Sequence, residues 1–121
     1  MLEFFGLIML VILIYVYVLI KKPGKNIKQI STSELKTTFG DKNRQFIDVR
    51  SPGEYNHGHI KQFKNMPLQS LHQTADTLNK DKETIVICQS GMRSANACKI
   101  LKKKGFTSVT NVKGGMNSWS R

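Results

Sequence analysis

The chain opens on an apolar run with no polar stripe. Phe4 to Ile20, FFGLIMLVILIYVYVLI, holds no charged side chain. Wound as a helix it is apolar on every face, which suits lipid better than a core position with one wet side. Beyond residue 28 the pattern changes to short strand and helix signals in alternation. NIKQIS is a first short strand. STSELKTTF follows, with Ser31 and Glu34 at capping-box spacing, so a short helix begins there. QFIDV, Gln45 to Val49, is a second strand. Ser51 N-caps a short helix with Pro52 at its first position and Glu54 at its third. HGHI turns the chain and NMPL leads it out again. LQSLHQTADTL has Leu68, Leu71, Ala75 and Leu78 at helical spacing. TIVIC is a continuous apolar strand of the kind buried on both faces. SANACKILKKKG is a helix with Ala97, Ile100 and Leu101 inward. FTSVTNV is a last strand, and GGMNSWSR a turn into a short C-terminal helix.

Strands alternating with helices predict an α/β domain: a small, open, mostly parallel sheet with helices on both faces. One transmembrane helix is expected to precede it. The boundaries are an anchor over residues 1–22, a linker over 23–28 broken by Pro23 and Gly24, and a domain over 29–121. A cleaved signal peptide fits the apolar run poorly, since it lacks a basic leading segment and a small-residue cleavage site. Lys21, Lys22, Lys25 and Lys28 follow the run directly and no Lys or Arg precedes it. The positive-inside rule then predicts a single-pass protein of the cell membrane, held through residues 4–20, with its C-terminal domain in the cytoplasm.

Composition sharpens this in two ways. The formal net charge is +11, and all 19 basic residues follow residue 20. No RNA-binding motif or aromatic-interleaved basic patch accompanies that charge, so nucleic acid is not an expected partner. Attraction to an anionic inner leaflet suits a tethered domain. Lys102, Lys103 and Lys104 are most simply cations at a helix C-terminus, where Gly105 supplies the stop. The two cysteines argue against a disulfide framework, and no metal-binding spacing is present. Cys98 reads as a small buried hydrophobe.

Cys88 stands at the end of the apolar strand, and residues 89 to 93 must curl tightly to enter the next helix. Such a curl turns successive N–H groups inward as an anion nest, and Gly91 supplies the backbone freedom. Both the nest and the helix dipole favour negative sulfur, so Cys88 is expected to be a thiolate at neutral pH. Arg93 can clamp an oxyanion or pin the loop. Gln89 and Ser90 can hydrogen-bond a small polar ligand. Parallel sheets place their sites beyond the carboxyl ends of the strands, where Cys88 and Asp48 both fall.

CQSGMRSANA resembles the active-site loop of the rhodanese-like domain, the single-domain sulfurtransferases. FIDVRSPGEYNHGHI, NMPL and NVKGGMNSW are similar to further elements of that family, in the same order. The resemblance implies that Cys88 is catalytic and carries a persulfide, within a loop of Gln89, Ser90, Gly91, Met92 and Arg93 that binds the substrate. It implies a small sulfur donor such as thiosulfate, a thiol or cyanide as acceptor, and neither cofactor nor metal. Asp48, Arg50, Glu54 and His59 are expected to hold that loop, with Arg50 ion-paired and His59 a turn residue. Four residues separate Cys88 from Arg93; related phosphatases and arsenate reductases have five, so this loop falls on the sulfurtransferase side. Many family members carry arginine directly after the cysteine, where this chain has Gln89, and that change bears on whether a dianion such as thiosulfate is the donor. The alternative is a tethered interaction or sulfur-carrier module with little turnover, its protein partner unknown. His72 receives no role, and Trp119 is expected to pack the C-terminal helix onto the domain.

Overall fold

A computed structural model describes residues 2–20 and 27–120. The elements run α1 (Leu2–Ile20), β1 (Ile27–Ile30), α2 (Thr32–Lys36), β2 (Arg44–Asp48), α3 (Pro52–His57), β3 (Lys64–Asn65), α4 (Leu71–Thr74), β4 (Glu83–Ile87), α5 (Met92–Lys103) and β5 (Val109–Val112). The five strands form one sheet in the order β1-β5-β4-β2-β3, every pairing parallel.

Alternation along the central strands divides the core in two. Ile47, Val49, Val86 and Cys88 face one layer with Leu71, Ala97, Cys98 and Leu101 from α4 and α5. Ile85, Ile87 and Val112 face the other, with Leu35 of α2, Phe63, and the partly buried Phe39, Phe46 and Trp119. Phe39 meets both Phe46 and Trp119 edge-on, so Trp119 does pin the C-terminal turn to the domain. Both layers are closed, as a parallel sheet requires.

The caps fall where the sequence places them. Ser31 with Glu34 and Ser51 with Glu54 form complete capping boxes, and Pro52 occupies the first turn of α3. After α5, Gly105 N–H bonds the Lys102 carbonyl and Phe106 N–H the Leu101 carbonyl, the two bonds of a Schellman stop. Lys102 donates to the Thr107 carbonyl and Lys104 pairs with Asp76, so two of the three consecutive lysines serve the helix end and its neighbours.

Four expectations need correction. The helix expected over Leu68–Leu78 is three short pieces: a 3-10 turn at Leu68–Ser70, α4, and a 3-10 turn at Ala75–Thr77. Thr77 bonds its hydroxyl back to the Thr74 carbonyl, the local competition that makes such residues poor helix continuers. β3 was not anticipated, because two residues are too few for any periodicity. β5 starts only at Val109, since Phe106 is taken up by the Schellman stop. Of the linker expected over 23–28, Ile27 and Lys28 belong to β1, and residues 23–26 lie outside the described residues.

α1 exposes apolar side chains on all sides, from Phe4 to Leu19. Among the described residues no helix is long and apolar enough to cross a membrane. The uncharged run of 17 residues makes about 26 Å of helix against a hydrocarbon core of about 30 Å. The fold therefore does not establish the expected transmembrane helix.

Candidate active site

The connections after β2 and β4 leave in opposite directions, toward β3 on one side and β5 on the other. Between neighbouring strands of a parallel sheet, that reversal opens a crevice at their carboxyl ends. Asp48 closes β2 there, and Cys88 follows β4 directly.

The loop from Cys88 to Met92 has the form expected of it. Gly91 takes φ +104°, a left-handed conformation that favours glycine, and its N–H donates to Cys88 Sγ at 3.0 Å. Burial pushes the Cys88 thiol up. The Ser94 hydroxyl and the N–H groups of Ser94, Gly91 and Ser90 more than offset it, and the net displacement is downward. Cys98 makes the contrast. It is buried without such donors and near Cys88, and is pushed up to about 12. Hydrogen-bond donors, the Ser94 hydroxyl first and the loop's N–H groups after it, rather than burial, thus separate the two cysteines.

The C-terminal turn clamps the loop from outside. Met116 N–H donates to the Cys88 carbonyl and Asn117 N–H to the Gln89 carbonyl, each at 2.9 Å. Gly115 lies directly against that backbone at φ +54°; a Cβ there would collide with the Cys88 carbonyl. The Gly-Gly pair therefore lets one turn sit flat on another.

Two arginines border the site, and each has its own carboxylate. Arg93 forks onto Glu54 at 2.7 and 2.9 Å. That pairing, with the Ser51 cap, holds Glu54 down at about 2 even though burial opposes it. Arg50 is buried and grips Asp48 through Nε and Nη2, at 2.9 to 3.1 Å. It also donates to the Gly58 carbonyl at 2.8 Å and to Gln89 Oε1 at 3.3 Å. The expected grouping of Arg50 with Asp48 holds. Glu54 instead belongs to Arg93, because capping α3 turns it toward the start of α5. His59 stacks on Tyr55 at 3.7 Å between ring centroids and contacts the Tyr55 carbonyl through Nδ1. It is a turn residue, away from the sulfur. Met92 is exposed at the first position of α5.

A cavity of about 440 Å3 adjoins the loop, lined by Arg50, Gly53, Glu54, His57, Gly58 and Gln89. Cys88 itself is fully buried. Gln89 stands at the edge of this cavity, its amide carbonyl accepting from Arg50 and its NH2 donating to Asn117 Oδ1 at 2.7 Å. Among the described residues no cluster of His, Cys, Asp and Glu could hold a metal ion.

Sequence reasoning missed several members of the site. Ser94 touches the sulfur at 3.3 Å, and Asn111 stands behind Ser94. Asn65 donates to the carbonyls of both Asp48 and Arg50. The available signal was a hydroxyl on the buried face of α5, in line with Ala97, Cys98 and Leu101.

A family model, the rhodanese-like domain, matches residues 31–121. The candidate sulfurtransferase YtwF of Bacillus subtilis is 45% identical over 94 residues, covering 77% of this chain and 90% of that one. Thiosulfate sulfurtransferase GlpE of Shewanella oneidensis is 29% identical over 92 residues, covering 76% and 91%. A crystal structure of a rhodanese-like domain protein from Staphylococcus aureus superposes with a TM-score of 0.71 at 33% identity, covering 77% and 91%.

Proposed function

The chain belongs to the rhodanese-like domain family, and on that premise we propose that it is a sulfurtransferase working through a persulfide on Cys88. One observation carries the proposal. The single cysteine that closes the central strand accepts a backbone N–H from its own loop, and its ionisation is favoured despite complete burial.

The chemistry balances without a cofactor. The Cys88 thiolate attacks the outer sulfur of a donor, forming a new S–S bond. The donor's own S–S bond breaks and its electron pair leaves with the remainder, which is sulfite if the donor is thiosulfate. A nucleophilic acceptor then attacks the outer sulfur of the persulfide. Cyanide leaves as thiocyanate and a thiol as an organic persulfide, and the Cys88 thiolate is regenerated. In this scheme Gln89, Ser90, Gly91, Met92 and Arg93 form the cup around the transferred sulfur. Asp48, Arg50 and Glu54 fix the cup, and His59 stiffens the turn that borders it. Arg93, forked onto Glu54, pins the loop rather than waiting for an oxyanion.

The test is an intact mass after incubation with thiosulfate or with a low-molecular-weight persulfide. One added sulfur, removed by cyanide and absent in Cys88→Ser, is the expected result. No adduct from any sulfur donor would leave the second reading, a sulfur-carrier or docking module with little turnover. The complete burial of Cys88 is the feature that favours it.

Seating at the cell membrane is part of the proposal. It is supported by the uncharged run Phe4 to Ile20, by apolar side chains exposed around α1, and by four lysines within residues 21–28. Those lysines can reach the headgroups and lengthen a short span. They also favour a cytoplasmic C-terminal domain. Protease added to intact cells should leave that domain whole; digestion there would reverse the orientation.

A further inference from the structure

Cys88 has a second set of neighbours that the persulfide scheme does not use. Ser94, buried in the first turn of α5, lies with Oγ 3.3 Å from Cys88 Sγ. The same Oγ is 3.0 Å from the Gly91 carbonyl and 2.5 Å from Asn111 Oδ1. Asn111 is a buried residue of β5. Its Nδ2 faces two acceptors, Gln29 Oε1 at 3.1 Å and the Gly91 carbonyl at 3.4 Å. Only the N–H edge of an amide can face acceptors, so Oδ1 is the atom turned to Ser94. Gln29 lies on the edge strand β1, two residues before the matched family region begins.

A hydroxyl has one proton, and here three atoms compete for it: Asn111 Oδ1, the Gly91 carbonyl, and Cys88 Sγ once ionised. While Cys88 is a thiol, its S–H donates to Ser94 Oγ, and Ser94 directs its own proton to Asn111. Ionisation turns the sulfur from donor to acceptor. The Ser94 hydroxyl must then rotate onto the sulfur, which leaves Oδ1 of a buried amide without its donor. That loss has a cost. Ser94 therefore works for ionisation and Asn111 against it. Ser94 keeps its proton throughout, and the proton that leaves Cys88 goes to solvent.

We infer that Asn111, acting through Ser94, is a positioning residue of the sulfur site: it holds the Ser94 hydroxyl proton while Cys88 is a thiol and yields it when Cys88 becomes a thiolate. Two other titratable groups of α5 feel the charge of an ionised Cys88. Arg93 is forked onto Glu54, and Cys98 stays a neutral thiol. Neither can replace the hydroxyl, because neither hydrogen-bonds the sulfur. The inference rests on Cys88 being the reactive sulfur, and on no particular donor.

The experiment is the pH profile of Cys88 alkylation by iodoacetamide, located by peptide mass, in the full chain and in Ser94→Ala, Asn111→Leu and the double variant. Ser94→Ala should move the midpoint up, with about tenfold less thiolate at a given pH below it, as one lost charge-assisted bond implies. Asn111→Leu should move it down, with about threefold more thiolate, since the Gly91 carbonyl still competes for the proton. The double variant should match Ser94→Ala, because Asn111 acts only through that hydroxyl. If Asn111→Leu does not fold, Asn111→Val suits the strand and makes the same test. A midpoint unmoved or raised by the Asn111 change overturns the inference, whatever happens to the melting temperature. So does a double variant that shows the sum of the two shifts. Midpoints ordered as stated across the four proteins, with a wild-type chain that takes sulfur from no donor, would overturn the sulfurtransferase proposal alone.

Discussion

Gln89 decides how much charge the cavity offers a donor. Arg50 lines it, as does Glu54, onto which Arg93 is forked, so each guanidinium is already held by a carboxylate, Asp48 or Glu54. Gln89 spends one end of its amide on Arg50 and the other on Asn117. A dianion entering there meets one neutralised guanidinium, a carboxylate already paired and a neutral amide, although the whole chain is strongly basic. Gln89→Arg adds a cation at the cavity edge and should raise the apparent affinity for thiosulfate about tenfold, the worth of one well-placed charge-assisted contact. A donor without net charge should gain far less. The measurement is the rate of mass gain on Cys88 against donor concentration, and an equal gain for both donors would show that size rather than charge limits entry. At the neighbouring carboxylate, Glu54 is held from about 4.5 down to about 2. A lowered acid stabilises the fold above its unfolded value, and that contribution fades as pH falls toward the folded one. Glu54→Gln keeps the Ser51 cap and loses the charge. It should melt below wild type at neutral pH, with the gap closing between about pH 4.5 and about pH 2. Glu54 is partly exposed, so salt should narrow the same gap.

Among the elements, those that announced themselves were those whose signals are local. Both capping boxes, Gly91 in the loop, the Gly105 stop and the buried β4 follow from residues within a few positions of each other. What stayed hidden was set by partners far along the chain. Asn111 reaches Ser94 across 17 residues and Gln29 across 82, and Glu54 reaches Arg93 across 39. Spacing carries no trace of such pairs, since only the folded sheet brings β5 and β1 behind the loop. The fragmented stretch from Leu68 to Thr77 failed for a third reason. Its apolar periodicity is sound, but its threonines, Asp76 and Ser70 weaken a helix that the periodicity alone would continue. The C-terminal turn is the element on which the loop most depends. Gly115 has a left-handed φ and no room for a Cβ against the Cys88 and Gln89 backbone. Gly115→Ala should therefore cost at least about 2 kcal/mol of stability, from strain plus collision. Urea unfolding reads the loss, and a wild-type midpoint would mean the turn moves aside freely.

At the scale of the whole molecule, the proposed seating at a membrane would draw on two attractions that differ in range. The charge of +11 acts over a Debye length of about 8 to 10 Å, and salt suppresses it. The apolar helix α1 acts only on contact, through buried area, and salt does not weaken it. The two can be separated by binding to vesicles, with and without anionic lipid, across ionic strength. The full chain should stay bound to both vesicle types at high salt. A version beginning at residue 27 should bind only the anionic vesicles, and only at low salt. Such a version keeps the whole span that the rhodanese-like family model matches, residues 31–121. Were the full chain to leave neutral vesicles at high salt, charge alone would hold it. α1 would then need a protein partner, since so much exposed apolar surface does not persist in water.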